Sequence, residues 1–254
     1  MYKLISIVIL FFVSISVFSQ EIHDIETDRP DQTECSSVIP RKTIQIETGI
    51  LQESDKADVS ISKTYFPTSL LRIGALSKVE FRIIAGEYFI AEIKDSNMTY
   101  NIKKFSPFSL GTKVFICNEK KIIPQTSLLF HVNHDSGKFL FDRITYDFRF
   151  SMSHTFSEKI SLGYNLGGEW NRDENNFTLV YTLSTAFSVS EKLGAFIEVF
   201  GNITKKKLPT NQFDGGITFL IRKNLQADCS AGIALNKNSP DKFVSAGLSL
   251  RIPE

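Results

Sequence analysis

Apolar and polar residues alternate with a period of two over runs long enough to cross a bilayer, and few folds accommodate that pattern. From Lys159 to Trp170, the residues Ile160, Leu162, Tyr164, Leu166 and Trp170 fall on one side. Ser161, Gly163, Asn165, Gly167 and Glu169 fall on the other. Successive side chains of a strand point to opposite faces, so this is a strand with one apolar and one polar face. The same pattern recurs over 143–151, 176–189, 224–235 and 242–252. A globular strand is usually about 5–6 residues, whereas a tilted membrane strand needs about 9–11.

Twelve such runs can be drawn, at 43–51, 66–76, 78–89, 105–117, 122–133, 140–151, 158–170, 176–189, 191–202, 212–222, 224–235 and 241–252. Residues 57–65 either extend the second run or form a loop. Tight connections at Ser77–Lys78, Ser190–Lys192 and Lys223–Asn224 alternate with longer polar ones at Asp95–Lys104, Asn171–Asn175 and Ile203–Asn211. Short turns on one rim and long loops on the other fit a transmembrane barrel. Tyr65, Tyr88 and Trp170 near run ends fit interfacial aromatic belts. A secreted β-sandwich would use shorter strands with more charge on the polar face. Here that face is mostly Gly, Ser, Thr and Asn, which suits a narrow wet lumen. The expected fold is all-β: one closed antiparallel barrel of about twelve strands, a structure that pairs every backbone group without helices.

The first twenty residues differ from the rest. Lys3 precedes an apolar run from Leu4 to Phe18, with Val17 and Ser19 as small residues before a cleavage point. This reads as a signal peptide over 1–19. It is followed by an extended acidic segment over 20–42 and the barrel over 43–252. Past residue 20 no apolar stretch is long enough for a spanning helix. Lys+Arg total 29 against Asp+Glu 28, a balance that argues against a nucleic-acid partner. Three cysteines are too few for a disulfide framework or a zinc site.

At this point the sequence resembles a family of bacterial outer-membrane barrels named for a MetA-pathway of phenol degradation. The likeness is carried by Glu26-Thr27-Asp28-Arg29-Pro30-Asp31-Gln32-Thr33-Glu34 and Gln45-Ile46-Glu47-Thr48-Gly49. Leu71-Arg72-Ile73-Gly74, Val79-Glu80-Phe81-Arg82 and Ser109-Leu110-Gly111-Thr112-Lys113 follow. Gly163-Tyr164-Asn165-Leu166-Gly167, Gly194-Ala195-Phe196-Ile197-Glu198, Asp214-Gly215-Gly216 and Gly247-Leu248-Ser249 complete it in fixed order. The resemblance implies an outer-membrane, transporter-like barrel with a link to aromatic compounds.

The chemistry lies in charge. Arg72, Glu80, Arg82, Lys113, Arg143, Asp147, Arg149, Glu169, Glu198, Asp214 and Asp228 all fall on the polar face of their runs. A charge in hydrocarbon is costly, so these are expected to line the lumen, where mixed rows can bias which solutes pass. Asp24, Glu26, Asp28, Asp31 and Glu34, set against Arg29, make the N-terminal segment acidic. It is either a solvated tail or a plug that meets the inward cations. The spacing of its carboxylates matches no EF-hand loop, so neither metal nor cofactor is expected. An enzyme is not expected either: Ser153 and His154 point to opposite faces, and His131 with Ser127 shows no third, orienting group. The expected partners are outer-membrane lipid and a small solute. The expected function is passive passage of small, aromatic or apolar compounds, with a filled structural or interaction barrel as the alternative.

Overall fold

The computed structural model describes residues 24–56, 60–85, 88–95, 98–105, 108–135, 143–171, 176–205 and 207–253. The signal peptide expected over 1–19 lies outside them. The strands are β1 (Ile44–Lys56), β2 (Ser60–Leu76), β3 (Val79–Ala85), β4 (Tyr88–Asp95), β5 (Met98–Phe105), β6 (Ser109–Cys117), β7 (Gln125–Asp135), β8 (Arg143–Ser157), β9 (Ile160–Asn171), β10 (Asn176–Ser188), β11 (Leu193–Thr204), β12 (Thr210–Arg222), β13 (Leu225–Ala234) and β14 (Lys242–Ile252). No described residue is helical.

Every pairing is antiparallel, and β1 pairs with both β14 and β2, which closes the sheet. The closed circuit has twelve strands. β2 pairs with β3 along Ser69–Leu76 and with β4 along Ser60–Phe66, so β3 and β4 are successive lengths beside one strand. β6 and β5 then flank β3 and β4 in the same order.

The faces settle which solvent this barrel is built for. Phe81, Leu110, Phe130, Phe148, Phe150, Leu166, Leu183, Ile197, Ile217, Ile233 and Leu248 are exposed. On the alternate positions Gln45, Glu47, Arg72, Glu80, Arg82, Lys113, Asn165, Glu198, Asp214 and Ser249 are buried. Among the described residues only Ile25, Ile39, Leu129, Phe196 and Phe243 form a buried apolar set. Two of those five belong to the segment before β1, so the wall alone has almost no apolar core. Apolar surface left in water costs about 25 cal/mol per Å², and a belt of this kind is stable when lipid covers it.

Some boundaries differ from the sequence reading. Residues 57–65 largely extend β2, which starts at Ser60. Tyr65 therefore lies within a strand, and its hydroxyl donates to Glu53 at 3.4 Å. Asp95–Lys104 is not a loop: most of it is β5, paired with β4. Its Thr, Tyr and Ile residues favour strand, while its lysines and asparagines masked that preference. The rims are accordingly less uneven than expected. The rim that holds Ile44 and Ile252 carries the turns at 77–78, 158–159, 189–192 and 223–224, but also the longer 118–124.

Candidate functional site: a charged belt inside the barrel

The belt begins with a conflict written into the strand register. Arg72 of β2 sits directly opposite Arg82 of β3. Like charges opposite one another are destabilising. Glu80 of β3, opposite Lys113 of β6, offsets part of this. Arg72 donates to it through Nε and Nη2, both at 2.9 Å, and Arg82 Nη1 lies 3.0 Å away. Glu47 of β1 accepts from Arg72 Nη1 at 3.1 Å. Thus three wall cations, each at most 1% exposed, face two wall carboxylates. A buried charge without a partner is costly, and among the described residues only these two wall carboxylates touch the three cations directly, Asp147 reaching Arg82 through His131.

The segment before β1 supplies anions. The Asp28 carboxylate sits between the two arginines, with Oδ2 at 3.3 Å from Arg72 Nη1 and 2.5 Å from Arg82 Nη1. Its Oδ1 lies 3.1 Å from Lys113 Nζ and accepts the Cys35 N–H at 2.8 Å. Glu34 adds a second carboxylate, 2.8 Å from Arg82 Nη2 and 3.7 Å from Lys113. Burial disfavours the Asp28 anion, but Arg72, Lys113 and Arg82 outweigh it and hold the carboxyl well below the usual range. The Cys35 thiol, buried beside that anion, is pushed up to about 12. It is a neutral neighbour of Arg72, not a nucleophile.

The rest of the segment is tied to the wall over its length. Ile25 N–H donates to Lys223 O at 2.8 Å, at a tight turn of the near rim. Asp28 and Arg29 N–H groups both donate to Glu47 Oε2. The Arg29 guanidinium binds Asp228, with Nη2 at 3.0 Å from Oδ1, and also reaches Ser245 and Thr68. It lies across Gly49 and Gly247, which are cross-strand partners. A Cβ on either glycine would collide with it, so close approach of this cation requires glycine at both positions. Gln32 N–H donates to Glu198 at 2.7 Å, and the Thr33 hydroxyl to the same carboxylate. Glu34 and Asn165 exchange two hydrogen bonds. Ser36 contacts Ser153, Gln125 and Ser127, and Ile39 N–H reaches Glu80 at 2.8 Å.

Asp31 has the opposite environment. Burial and the neighbouring Glu198 and Asp214 push its carboxyl well above the usual range. Glu198 and Asp214 are direct cross-strand partners, so their carboxyls crowd one another beside Asp31.

Of the other residues singled out in the sequence, Arg149 and Glu169 approach to 3.8 Å on the more exposed part of β8 and β9, away from the segment. The Arg143 side chain lies outside the described residues. Asp24 and Glu26 are exposed, and they take part through their carbonyls, to Arg251 and to Gln45 and Arg72 respectively. Arg82 has Arg72 and Gly111 opposite it. Its anions come from its own strand and from the segment. Gln45, Glu47, Asn165, Thr182 and Ser184, which the sequence reading does not single out as lumen-lining, are buried in the same interior as Ser127 and His131. Gln45 and Glu47 alternate with Ile44 and Ile46, and that periodicity carried the signal.

The third group missing for His131 does exist: Asp147 lies 3.0 Å from Nδ1. Nε2, however, accepts from Arg82 at 3.3 Å, and the Ser127 hydroxyl is spent on Ser36 O at 2.5 Å. The arrangement is a hydrogen-bonded relay among buried charges and not a nucleophile with its base.

The segment does not occupy the whole bore. A cavity of about 570 Å³ remains between it and β8–β12, lined by Pro30, Asp31, Thr33, Ser153, Ser161 and Ser184 among others.

Residues 27–252 match the family described as "Putative MetA-pathway of phenol degradation". An outer-membrane channel from Pseudomonas putida F1, solved by crystallography, superposes on 93% of this chain and 100% of its own, at 10% identity and a TM-score of 0.59. The NanC porin covers 82% of this chain and 98% of its own, at 6% identity and a TM-score of 0.54. The translocator domain of the autotransporter NalP from Neisseria meningitidis covers 82% and 88%, at 9% identity and a TM-score of 0.51. At such identities the likeness is one of fold. No curated protein matches the chain in sequence.

Proposed function

Since the chain belongs to the MetA-pathway phenol-degradation family, we propose that it is an outer-membrane channel for small solutes, aromatic ones among them. Passage is passive, through a polar and charge-lined bore. The observation that carries this reading is the cavity of about 570 Å³ beside the N-terminal segment. A barrel built only as a filled scaffold would pack its interior at the density of a protein core, and this one leaves room for a molecule between the segment and the wall, open toward the rim turn at Glu158 and Lys159.

In this reading the lumen-facing charges set the field that a solute meets, and residues 24–40 restrict the bore. Asp28, Arg29 and Glu34 hold the segment against the wall through ion pairs, and Asp24, Glu26 and Asp31 complete its acidic face. Pairs this deeply buried differ from surface ion pairs, which contribute about 0–1 kcal/mol. Leaving any one of them unpaired is costly. The solute class rests on the family description. The near-rim location of both barrel termini, at Ile44 and Ile252, fits a periplasmic entry for the segment, after removal of a signal peptide over 1–19.

The alternative of a filled, non-conducting barrel has one observation in its favour: the belt of Asp28, Arg72, Arg82 and Lys113 is almost wholly buried. Purified protein in a planar lipid bilayer separates the two. Discrete conductance steps that persist in the wild type support a channel. A barrel that inserts, verified by heat-modifiable migration, and never conducts would overturn it.

A further inference from the structure

The wall of the barrel carries a receptor for a carboxylate, and the chain fills it with one of its own. Arg72, Arg82 and Lys113 come from three neighbouring strands, β2, β3 and β6. All three converge on the carboxylate of Asp28, at 3.3, 2.5 and 3.1 Å. Among the described wall residues only two carboxylates, Glu47 and Glu80, touch these three cations directly, one directly bonded anion short of matching them. Asp28 lies outside the wall strands, so withdrawal of the segment would expose that deficit to the bore. A guanidinium presents donors in a planar fork that matches carboxylate geometry, and a lysine adds a point charge. The backbones of all three belong to paired wall strands and not to the segment.

We propose that this triad is a binding site for the carboxylate of a small organic monoanion, and that such a solute competes with Asp28 for it. A monocarboxylate restores the balance that the wall lacks, which a neutral solute of the same size cannot do. Glu34 and Cys35, immediate neighbours of the Asp28 carboxylate, also line the cavity of about 570 Å³. A solute in that cavity is therefore one residue away from the contact it would replace. Competition couples occupancy to the segment: a ligand that binds only when Asp28 is displaced shifts the population toward the undocked form. The proposal rests on the reading that residues 24–40 restrict the bore.

The test uses the mature full-length chain in planar bilayers at constant ionic strength, with benzoate, benzyl alcohol and chloride as probes. Benzoate is expected to raise conductance severalfold along a saturating curve, while benzyl alcohol and chloride leave it flat. Lys113→Met should move the benzoate midpoint up by tenfold or more, and Lys113→Arg should restore most of it. A benzoate response no larger than that of chloride, or matched by benzyl alcohol, overturns the proposal. Asp28→Asn separates this failure from failure of the underlying reading. If Asp28→Asn conducts more than wild type while benzoate has no effect, the restricting segment stands and the carboxylate site falls. If Asp28→Asn leaves conductance unchanged, both fall.

Discussion

Asp28 and Asp31 lie three residues apart, and their surroundings push their carboxyls in opposite directions. Asp28 is depressed in the docked segment. Its contribution to docking is therefore present above the ordinary aspartate value of about 4 and is lost as pH falls through the lowered one. Asp31 is raised, so its contribution is fully present below about 4 and is lost as pH rises through the raised value. Together they place the tightest docking near pH 4 and weaken it on both sides. Conductance should pass through a minimum there, and Asp31→Asn should flatten the alkaline limb while leaving the acid limb intact. A pH profile unchanged by Asp31→Asn contradicts the assignment. Arg72 is the other decisive residue, because Asp28, Glu47 and Glu80 all depend on it. Removing one partner of a buried ionic network typically costs about 3–5 kcal/mol. Arg72→Met should lower stability by an amount of that order in urea unfolding from lipid. Alternation alone made the polar-face positions of Arg72, Glu80, Arg82 and Lys113 legible, and all four are buried. Their partners were not legible, because register decides whether Arg82 meets an anion or Arg72, and register follows from turns and bulges that a single sequence does not display.

Single strands show most directly what the sequence can and cannot say. β9, β10, β13 and β14 were readable to within a residue or two, since a half-buried strand repeats its apolar side every second position. The β4–β5 hairpin was not, because lysine and asparagine interrupt the apolar series there and polar stretches read as loop. The segment before β1 has no period at all, and its placement follows from charge and not from pattern. Face assignment has a direct check at the middle of β10 and β14. Leu183 and Leu248 are each half exposed. An arginine facing lipid near the bilayer midplane costs about 2–4 kcal/mol. Leu183→Arg and Leu248→Arg should each lose stability on that scale in reversible folding into vesicles. On the other face, the small Ser161 should tolerate Arg with far less loss, since it borders the cavity. Gly232 cannot serve as that inward control. Any Cβ there would run into the ring of Phe243, so steric loss would mask the effect of charge.

At the scale of the molecule, length of alternation was enough to give a closed barrel of twelve strands, and the closure of β1 on β14 and β2 follows from the need to leave no edge unpaired in lipid. What alternation could not give was the state of the bore. A lumen of Ser, Gly and charged residues can be open, plugged or packed, and only the third dimension puts Asp28 among Arg72, Arg82 and Lys113. The central claim is that residues 24–40 lie in the bore of an otherwise conducting barrel and restrict it. Single-channel conductance of the refolded protein, with and without residues 20–40, tests this most directly. The account predicts that the deletion raises conductance severalfold while heat-modifiable migration shows an intact barrel. An intact deletion variant whose conductance equals that of the full chain would contradict it.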